Sequence, residues 1–286
     1  MLKRGLFVMI EFKKNKASCV RVSDMNNLEI YKASYTTHAF SRHWHEGFGI
    51  GVIENGCEVF DYEGAKQLAP QRSIILMNPC VIHTGAAANQ QLGWQYHMMY
   101  PNIECLQEIA AQINEKNNAI PYFPAPVVAD RDCAEKLLYL FSLFEHSSLL
   151  LEYKSIFIQT MTTILQRHST LTYREINKKS DTTVVDLIKE YIQQYYYKNI
   201  SLGELAAICQ RSQFHLLREF ERTVGIPPHT YQIFIRIQLA KQLLLKGKSI
   251  LTVALETGFT DQSHFSRHFK RITGITPREY IYASAK

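Results

Sequence analysis

Residues 258–277 read GFTDQSHFSRHFKRITGITP. Asp261 can cap a helix that follows it, because its carboxylate accepts the free backbone N–H groups of a first turn. Phe265 and Phe269 recur at i, i+4 and form a stripe that must be buried. Gln262, Ser263, Ser266, Arg267 and Lys270 fall on the other faces of that helix. Gly274 stops it. Upstream, Ile250–Glu256 reads as a shorter helix and Gly258 as the turn between the two. Short helix, tight turn and second helix is the helix-turn-helix plan, whose second helix enters the major groove of DNA.

The pattern occurs twice. A shift of 49 residues pairs Arg218 with Arg267, Phe220 with Phe269, Arg222 with Arg271, Gly225 with Gly274, Ile226 with Ile275, Pro228 with Pro277 and Tyr231 with Tyr280. Two copies of this length indicate a duplicated supersecondary unit. In the first copy Ser201 and Glu204 have the spacing of a capping box. Leu205 and Ile208 form the apolar side of a short helix, and Cys209–Arg211 make the turn. Ser212 caps a second helix that runs to about Val224 and ends at Gly225. Leu216, Phe220 and Val224 are its buried stripe. Gln213, Phe214, Leu217, Arg218 and Glu221 lie beside it. Arg and Gln reach base edges, and Ser or Lys hold phosphates. The expected DNA-contacting residues are therefore Gln213, Phe214, Leu217, Arg218, Gln262, Ser263, Ser266, Arg267 and Lys270. A helix over Tyr231–Lys246 would join the units across ~24 Å. Neighbouring major-groove faces are ~34 Å apart. Both recognition helices reach them only if the DNA bends or one unit docks poorly.

Charge agrees with this placement. Residues 181–286 hold 14 Lys and Arg against 9 Asp and Glu, whereas residues 1–180 hold 18 against 17. The last third carries most of the net +6 and suits a polyanionic partner. No apolar run approaches the ~20 residues of a membrane helix. The stretch Gly5 to Ile10 after Lys3 and Arg4 is too short for a secretory signal, so a cytoplasmic location is expected. Cysteines at 19, 57, 80, 105, 133 and 209 include no C-x-x-C pair, so neither a zinc finger nor a disulfide framework is expected.

The first part of the chain has a different rhythm. Leu28–Tyr35, Phe48–Glu54, Cys57–Tyr62, Ser73–Met77 and Leu92–Tyr100 read as strands, broken at Asn55-Gly56, Glu63-Gly64 and Asn78-Pro79. This predicts an antiparallel sandwich or barrel, with a hairpin at Asn55-Gly56. Asn102–Gln112, Asp130–Phe144 and Leu150–His168 have helical periodicity, and Asp130 is a candidate cap. The expected class is α+β: an antiparallel barrel with trailing helices over 1–170, a polar linker over 171–182, and an all-α unit over 183–286.

Gly258-Phe259, Asp261, Ser263, Phe265 to Lys270, Gly274 and Thr276-Pro277 resemble the signature of the AraC-type regulators. Leu205-Ala206, Ser212, Arg218-Glu219-Phe220, Gly225, Tyr231, Arg236, Ala240 and Leu243-Leu244 fit the same domain. The resemblance covers about 100 residues. It implies a sequence-specific transcription regulator that binds double-stranded DNA, meets RNA polymerase, answers a small-molecule effector and forms a homodimer. His43-Trp44-His45-Glu46, Asn78-Pro79 and His83 are similar to the cupin-like barrel that precedes the DNA-binding domain in such regulators. Metal-binding cupins use two histidines, a following Glu and a later His. Here Gly49 and Ile50 stand where that Glu would fall, so no metal and no cofactor are expected.

Strand alternation turns His43, His45, Gly47, Gly49 and Gly51 inward together and leaves space in the barrel. It turns Phe48, Ile50 and Val52 outward under a covering layer. Trp94, Tyr96 and Met98 share one face. The expected ligand-binding residues are His43, His45, His83, Trp94 and Tyr96, since aromatic walls with a few polar groups make small-molecule pockets. Relatives pair through helices after the barrel, so Leu150–His168 is the expected dimer helix. Its Ile156, Ile158, Met161, Ile164 and Leu165 would equally suit packing on the barrel. Two other readings remain open at this stage: a metal-dependent cupin enzyme fused to a DNA-binding domain, and a constitutive regulator whose barrel only dimerises.

Overall fold

The computed structural model describes residues 15–113, 120–146, 150–170 and 183–283. The expected linker at 171–182 and the stretch Gly5 to Ile10 lie outside the described residues. Strands β1 (Lys16–Val22), β2 (Leu28–Tyr35), β3 (Ala39–His43), β4 (Gly49–Tyr62), β5 (Ala65–Pro70), β6 (Ile74–Met77), β7 (His83–Ala87) and β8 (Trp94–Tyr100) come first. Helix α1 (Ile103–Ile113), the short strand β9 (Val127–Val128), α2 (Arg131–His146) and α3 (Leu150–His168) follow. All the pairings are antiparallel. One sheet runs β1-β2-β8-β4-β6-β9, and β3, β7 and β5 join through β4.

The hairpin expected at Asn55-Gly56 does not form. Residues 49–62 are one strand. Its first half pairs with β8 and β6, and its second half pairs with β5 and β7. The register slips between Ile53 and Asn55, and Gly56 has φ 74°. Asn-Gly here makes a bulge, because β8 keeps pairing past it through Gln95 and Trp94. The bulge bends β4 so that one strand serves both sheets and closes the barrel. A side chain at 56 would meet the Gly93 carbonyl oxygen at 2.2 Å, so the bend needs glycine.

Phe48, Ile50 and Val52 pack outward as expected, in one apolar core with Leu106 of α1, Leu137 and Phe141 of α2, and Phe157 and Met161 of α3. The three glycines do not leave space. A Cβ at Gly47 would stand 2.4 Å from the Pro101 carbonyl oxygen, and one at Gly51 2.4 Å from that of His97. Gly49 is backed by the Met77 side chain and Gly51 by Met98. Glycine serves close backbone approach here, and two methionines fill the volume. Met161, Ile164 and Leu165 of α3 are spent on the core, while Leu151 and Ile158 remain exposed.

The second unit holds α4 (Val184–Gln194), α5 (Leu202–Ile208), α6 (Gln213–Val224), α7 (Pro228–Leu245), α8 (Ile250–Glu256), α9 (Gln262–Thr273) and α10 (Pro277–Tyr282). Both helix-turn-helix copies appear where the repeat put them. Ser212 accepts from the His215 N–H and Asp261 from the His264 N–H. Gly225 and Gly274 close α6 and α9 in the left-handed region. Leu216, Phe220, Phe265 and Phe269 are fully buried. Half of the expected capping box forms: Ser201 accepts from the Glu204 N–H, but the Glu204 carboxylate takes the Tyr191 hydroxyl instead. Among the described residues no helix is long and apolar enough to cross a membrane.

Helix α7 has 18 residues and so spans ~27 Å. Its buried Arg236 donates to the carbonyls of Tyr196 at 2.7 Å, Lys198 at 2.8 Å and Gly258 at 2.7 Å. The last of these lies in the turn of the second unit, so one guanidinium ties the two units together. Arg236→Ala leaves three carbonyls without that donor and is expected to cost about 3 kcal/mol. Thermal unfolding of the full chain measures it, and a loss under about 1 kcal/mol would show that water replaces the guanidinium.

Candidate ligand cavity and nucleic-acid interface

The barrel gathers four of the five expected ligand-binding residues. β3 pairs with β7 so that His43 stands opposite His83. The ring centroids of His43 and His83 are 4.3 Å apart, and His45 lies 5.1 Å from each. Tyr100 leans on His45 at 4.2 Å. Tyr96 lines the same cavity. Trp94 stands further along the interior, packed on Tyr35 and Tyr96, and lines neither barrel cavity.

Nδ1 of His43 lies 2.8 Å from the Ser41 carbonyl oxygen, and Nδ1 of His83 lies 2.9 Å from that of Val81. A carbonyl only accepts, so each Nδ1 carries the proton and each Nε2 keeps its lone pair. Burial pushes the His43 pKa down to about 4 and holds His45 and His83 well below the usual imidazole range. The three rings are neutral at pH 7.

Glu58 shares this interior and was missed by the sequence reading. Burial alone pushes its carboxyl up to about 8. A signal existed: Glu58, Phe60 and Tyr62 alternate along β4, and all three are buried. The charge hid a position that periodicity marks as inward.

Two small cavities adjoin the cluster. One of about 20 Å³ lies among His43, Glu58, His83, Tyr96 and Tyr100. The other, of about 30 Å³, runs from His43 and His45 to Phe234 and Lys241 of α7 and Ile272 of α9. Each has room for about one water. The second one lies at the seam between the barrel and the helical unit.

That seam is built from specific pairs. Trp44 stacks on Tyr231 at 5.3 Å, with its ring centroid 3.6 Å from that of Phe234. Glu29 accepts from Lys241 at 2.6 Å and from the Tyr280 hydroxyl. Arg21 donates to the Ala283 carbonyl and lies over the Tyr280 ring. Arg42 donates to the Gly225 carbonyl at 3.2 Å, and the Tyr35 hydroxyl donates to that of Gly274 at 3.5 Å.

The expected DNA-contacting residues lie on α6 and α9. Gln213, Phe214, Arg218, Gln262, Ser263, Arg267 and Lys270 are exposed, while Leu217 and Ser266 are half-buried. Phe214 is 68% exposed, unusual for so apolar a ring. Leu217 turns partly into an apolar hollow beside Ile192, Leu205 and Pro228. Arg211, His215 and Arg222 line a surface hollow together with Arg218 and one carboxylate, Glu219, a cluster with three arginines that the sequence did not announce. Their helical spacing was the available signal.

A family model for an AraC-like ligand binding domain matches residues 26–159, and one for a helix-turn-helix domain matches residues 205–282. The chain is 26% identical over 253 residues to the uncharacterized HTH-type transcriptional regulator YbfI of Bacillus subtilis, covering 88% of this chain and 90% of that protein. It is 39% identical over 108 residues to the probable transcriptional regulator LumQ of Photobacterium leiognathi, or 37% of this chain and 43% of LumQ. In structure it resembles ToxT of Vibrio cholerae O395, with TM-score 0.51, 14% identity, and coverage of 94% of this chain and 98% of that one. ToxT of Vibrio cholerae bound to an unsaturated fatty acid gives TM-score 0.53 at 13% identity, covering 97% and 100%. At these identities the structural likeness speaks for the fold.

The raised Glu58 pKa has a consequence for stability. The folded state holds this proton above the pH at which the unfolded chain releases it. Glu58 therefore costs nothing below about pH 4.5 and costs more as pH rises toward about 8. The expected outcome for Glu58→Gln in chelator-treated protein is a melting temperature above wild type at pH 8, with the gap closing by pH 5. Equal gaps at both pH values would mean that the carboxyl is solvated.

Proposed function

Since the chain belongs to the AraC-type transcription regulators, with an AraC-like ligand-binding domain and a helix-turn-helix DNA-binding unit, we propose that an effector at the barrel controls how α6 and α9 meet DNA. The observation that carries this reading is the seam cavity. Its walls come from the barrel histidines on one side and from α7 and α9 on the other. Any molecule larger than a water must move Phe234, Lys241 or Trp44 to enter. Effector binding is thereby exchanged for seam contacts, and a ligand that favours the opened seam shifts the population toward it. A small-molecule effector also fits the fatty acid named for ToxT. A fatty acid here would require the seam to open, because the cavities are too small for it.

In this reading residues 1–170 form the sensor, 171–182 the linker and 183–286 the DNA-binding domain. His43, His45, His83 and Tyr96 face the effector, and Trp94 supports Tyr96 from behind. Gln213, Phe214, Leu217 and Arg218 serve one half-site, and Gln262, Ser263, Ser266, Arg267 and Lys270 the other. Arg211, His215 and Arg222 hold phosphates beside Arg218. The chain acts in the cytoplasm as a regulator and not as an enzyme. It meets RNA polymerase at the promoter and pairs with a second copy through the exposed Leu151 and Ile158 on α3.

Two measurements test this. Each arginine at a bidentate guanine contact is worth about 1–3 kcal/mol of discrimination. Arg218→Ala is expected to relax base preference in one half of the operator and Arg267→Ala in the other, as read by binding-site selection on both variants. Unchanged preference and affinity in both would place these arginines outside the groove.

The seam is tested with Trp44→Ala. Loss of the indole from between Tyr231 and Phe234 is expected to split thermal unfolding into separate barrel and helical transitions. It is also expected to tighten operator binding by roughly fivefold, about 1 kcal/mol. A single transition with unaltered affinity would show that the seam does not restrain the recognition helices.

A further inference from the structure

We propose that Asp130, Cys133 and His168 bind one divalent ion of the zinc and cobalt class where the first turn of α2 meets the last turn of α3. One ligand atom from each of the three lies within 4.8 Å of the other two. A tetrahedral ion with Zn–N and Zn–O bonds of about 2.0–2.2 Å and a Zn–S bond of about 2.3 Å needs about 3.3–3.6 Å between ligand atoms, so shifts of about an ångström complete the set. Water takes the fourth position. A thiolate, an imidazole and a carboxylate suit zinc and cobalt, whereas magnesium and calcium take oxygen ligands. Local structure brings the three together. Asp130 caps α2, with Oδ1 accepting the Cys133 N–H at 3.0 Å, so carboxylate and sulfur share one turn. His168 ends α3 and holds Nε2 2.8 Å from Asp130 Oδ2.

The independent observation is the cation that already stands there. Nη1 of Arg167 lies 3.1 Å from Asp130 Oδ2, 3.6 Å from Cys133 Sγ and 2.8 Å from Asp132 Oδ2. The point where carboxylate and sulfur converge is therefore one that favours positive charge. The guanidinium holds it loosely. Its side chain is 44% exposed, and Asp132 gives it a partner outside the cluster. Sulfur is a weak acceptor for an N–H but a strong ligand for zinc once deprotonated. An ion gains the sulfur that the guanidinium barely uses, and Arg167 withdraws to Asp132.

The protons balance. Cys133 releases its thiol proton to solvent. A carboxylate only accepts, so His168 Nε2 carries a proton in the ion-free protein. The neutral ring takes that proton on Nδ1 when Nε2 turns to the ion. Cys133 also belongs to the apolar core, a role that alanine would fill equally. A capping aspartate needs neither a sulfur nor an imidazole beside it.

Ion binding stands on this geometry alone. A regulatory use of the ion rests on the division into sensor and linker proposed above. Two residues past His168, Thr170 exchanges a pair of backbone hydrogen bonds with Tyr122, and residue 171 follows. An ion that ties His168 to the first turn of α2 fixes the direction in which the chain leaves the sensor.

The test is titration of the chelator-stripped full chain with Co²⁺ and Zn²⁺, read by absorption spectroscopy and calorimetry. One equivalent of Co²⁺ is expected to give tetrahedral visible bands together with a thiolate charge-transfer band. Cys133→Ala is expected to remove the thiolate band while the fold, read by near-ultraviolet circular dichroism, is kept. His168→Asn is the deletion to read if Cys133→Ala fails to fold. It is expected to weaken binding by at least roughly tenfold, since even a residue that only orients a ligand costs that much. Arg167→Gln removes the competing cation and is expected to tighten binding by roughly fivefold. His83→Asn is expected to leave the band in place, because the barrel histidines form a separate cluster without sulfur. Absence of a thiolate band, its persistence in Cys133→Ala, or its loss in His83→Asn would overturn the site. Weaker binding in Arg167→Gln would overturn the exchange of guanidinium for ion. Operator binding with and without one equivalent of Zn²⁺ separates the two claims. A bound ion that leaves operator affinity unchanged keeps the site and removes only its regulatory use.

Discussion

Both recognition helices meet the barrel at the same point of their repeat, the glycine that closes them. Gly225 lies with φ 83° against Ile82, whose Cδ1 is 3.0 Å from where a Cβ would sit. Gly274 lies with φ 80° against the Tyr35 hydroxyl, 2.4 Å from its own missing Cβ. The residue that stops each helix also lets the barrel approach it. The left-handed conformation and the close contact make two demands, and glycine meets both. The duplication thus carried along an attachment point, and the barrel holds both copies by it. Their N-terminal ends, with the exposed Gln213, Phe214, Gln262 and Ser263, are left away from these contacts.

The seam is polar at its edge and aromatic at its centre. Trp44, Tyr231 and Phe234 exclude water, while Glu29, Lys241 and Tyr280 form a mutually satisfied cluster beside them. Lys241 and Glu29 keep side-chain exposures of 18% and 14%. A pair so buried loses heavily if one member is removed, because the survivor stays desolvated, yet the intact pair adds little net stability. Such a pair fixes geometry more than it holds the units together. The apolar stack provides the cohesion, and it is small enough to be exchanged for a ligand.

What could be read from the sequence follows the range of the interactions. The caps at Ser212 and Asp261, the stops at Gly225 and Gly274, and the stripes at Leu216, Phe220, Phe265 and Phe269 are set by neighbours within a turn or two, and they appear where expected. The Asn55-Gly56 hairpin fails because that dipeptide suits a turn and a bulge alike, and only the continued pairing of distant β8 decides between them. The inward glycines were placed on the correct face, but a face does not say what fills the space behind it. Met77 and Met98 do. His43, His45 and His83 were expected at the ligand site from the likeness to the cupin-like barrel. Glu58 was not, because a charged residue between apolar ones reads as an exposed position unless the strand is followed through its bulge. The seam contacts join residues such as Glu29 and Lys241, 212 apart, and no local pattern announces them.

Alternation along β3 and its continuation links the histidine cluster to the seam. His43 and His45 point into the barrel, so Arg42 and Trp44 point out of it, toward the helical unit. The same holds for His83 and Ile82. Inside and outside of this wall are therefore sensed by adjacent residues on one backbone, without any intervening pathway. Arg42 and Ile82 both bear on Gly225. The first recognition helix is thus coupled directly to the histidine cluster. The second meets Tyr35 of β2 and Phe40 of β3 at Gly274, and Ile272 and Thr273 of α9 line the same cavity as His43 and His45. Both recognition helices therefore bear on the wall that carries the histidines, α6 through Arg42 and Ile82 and α9 through Phe40.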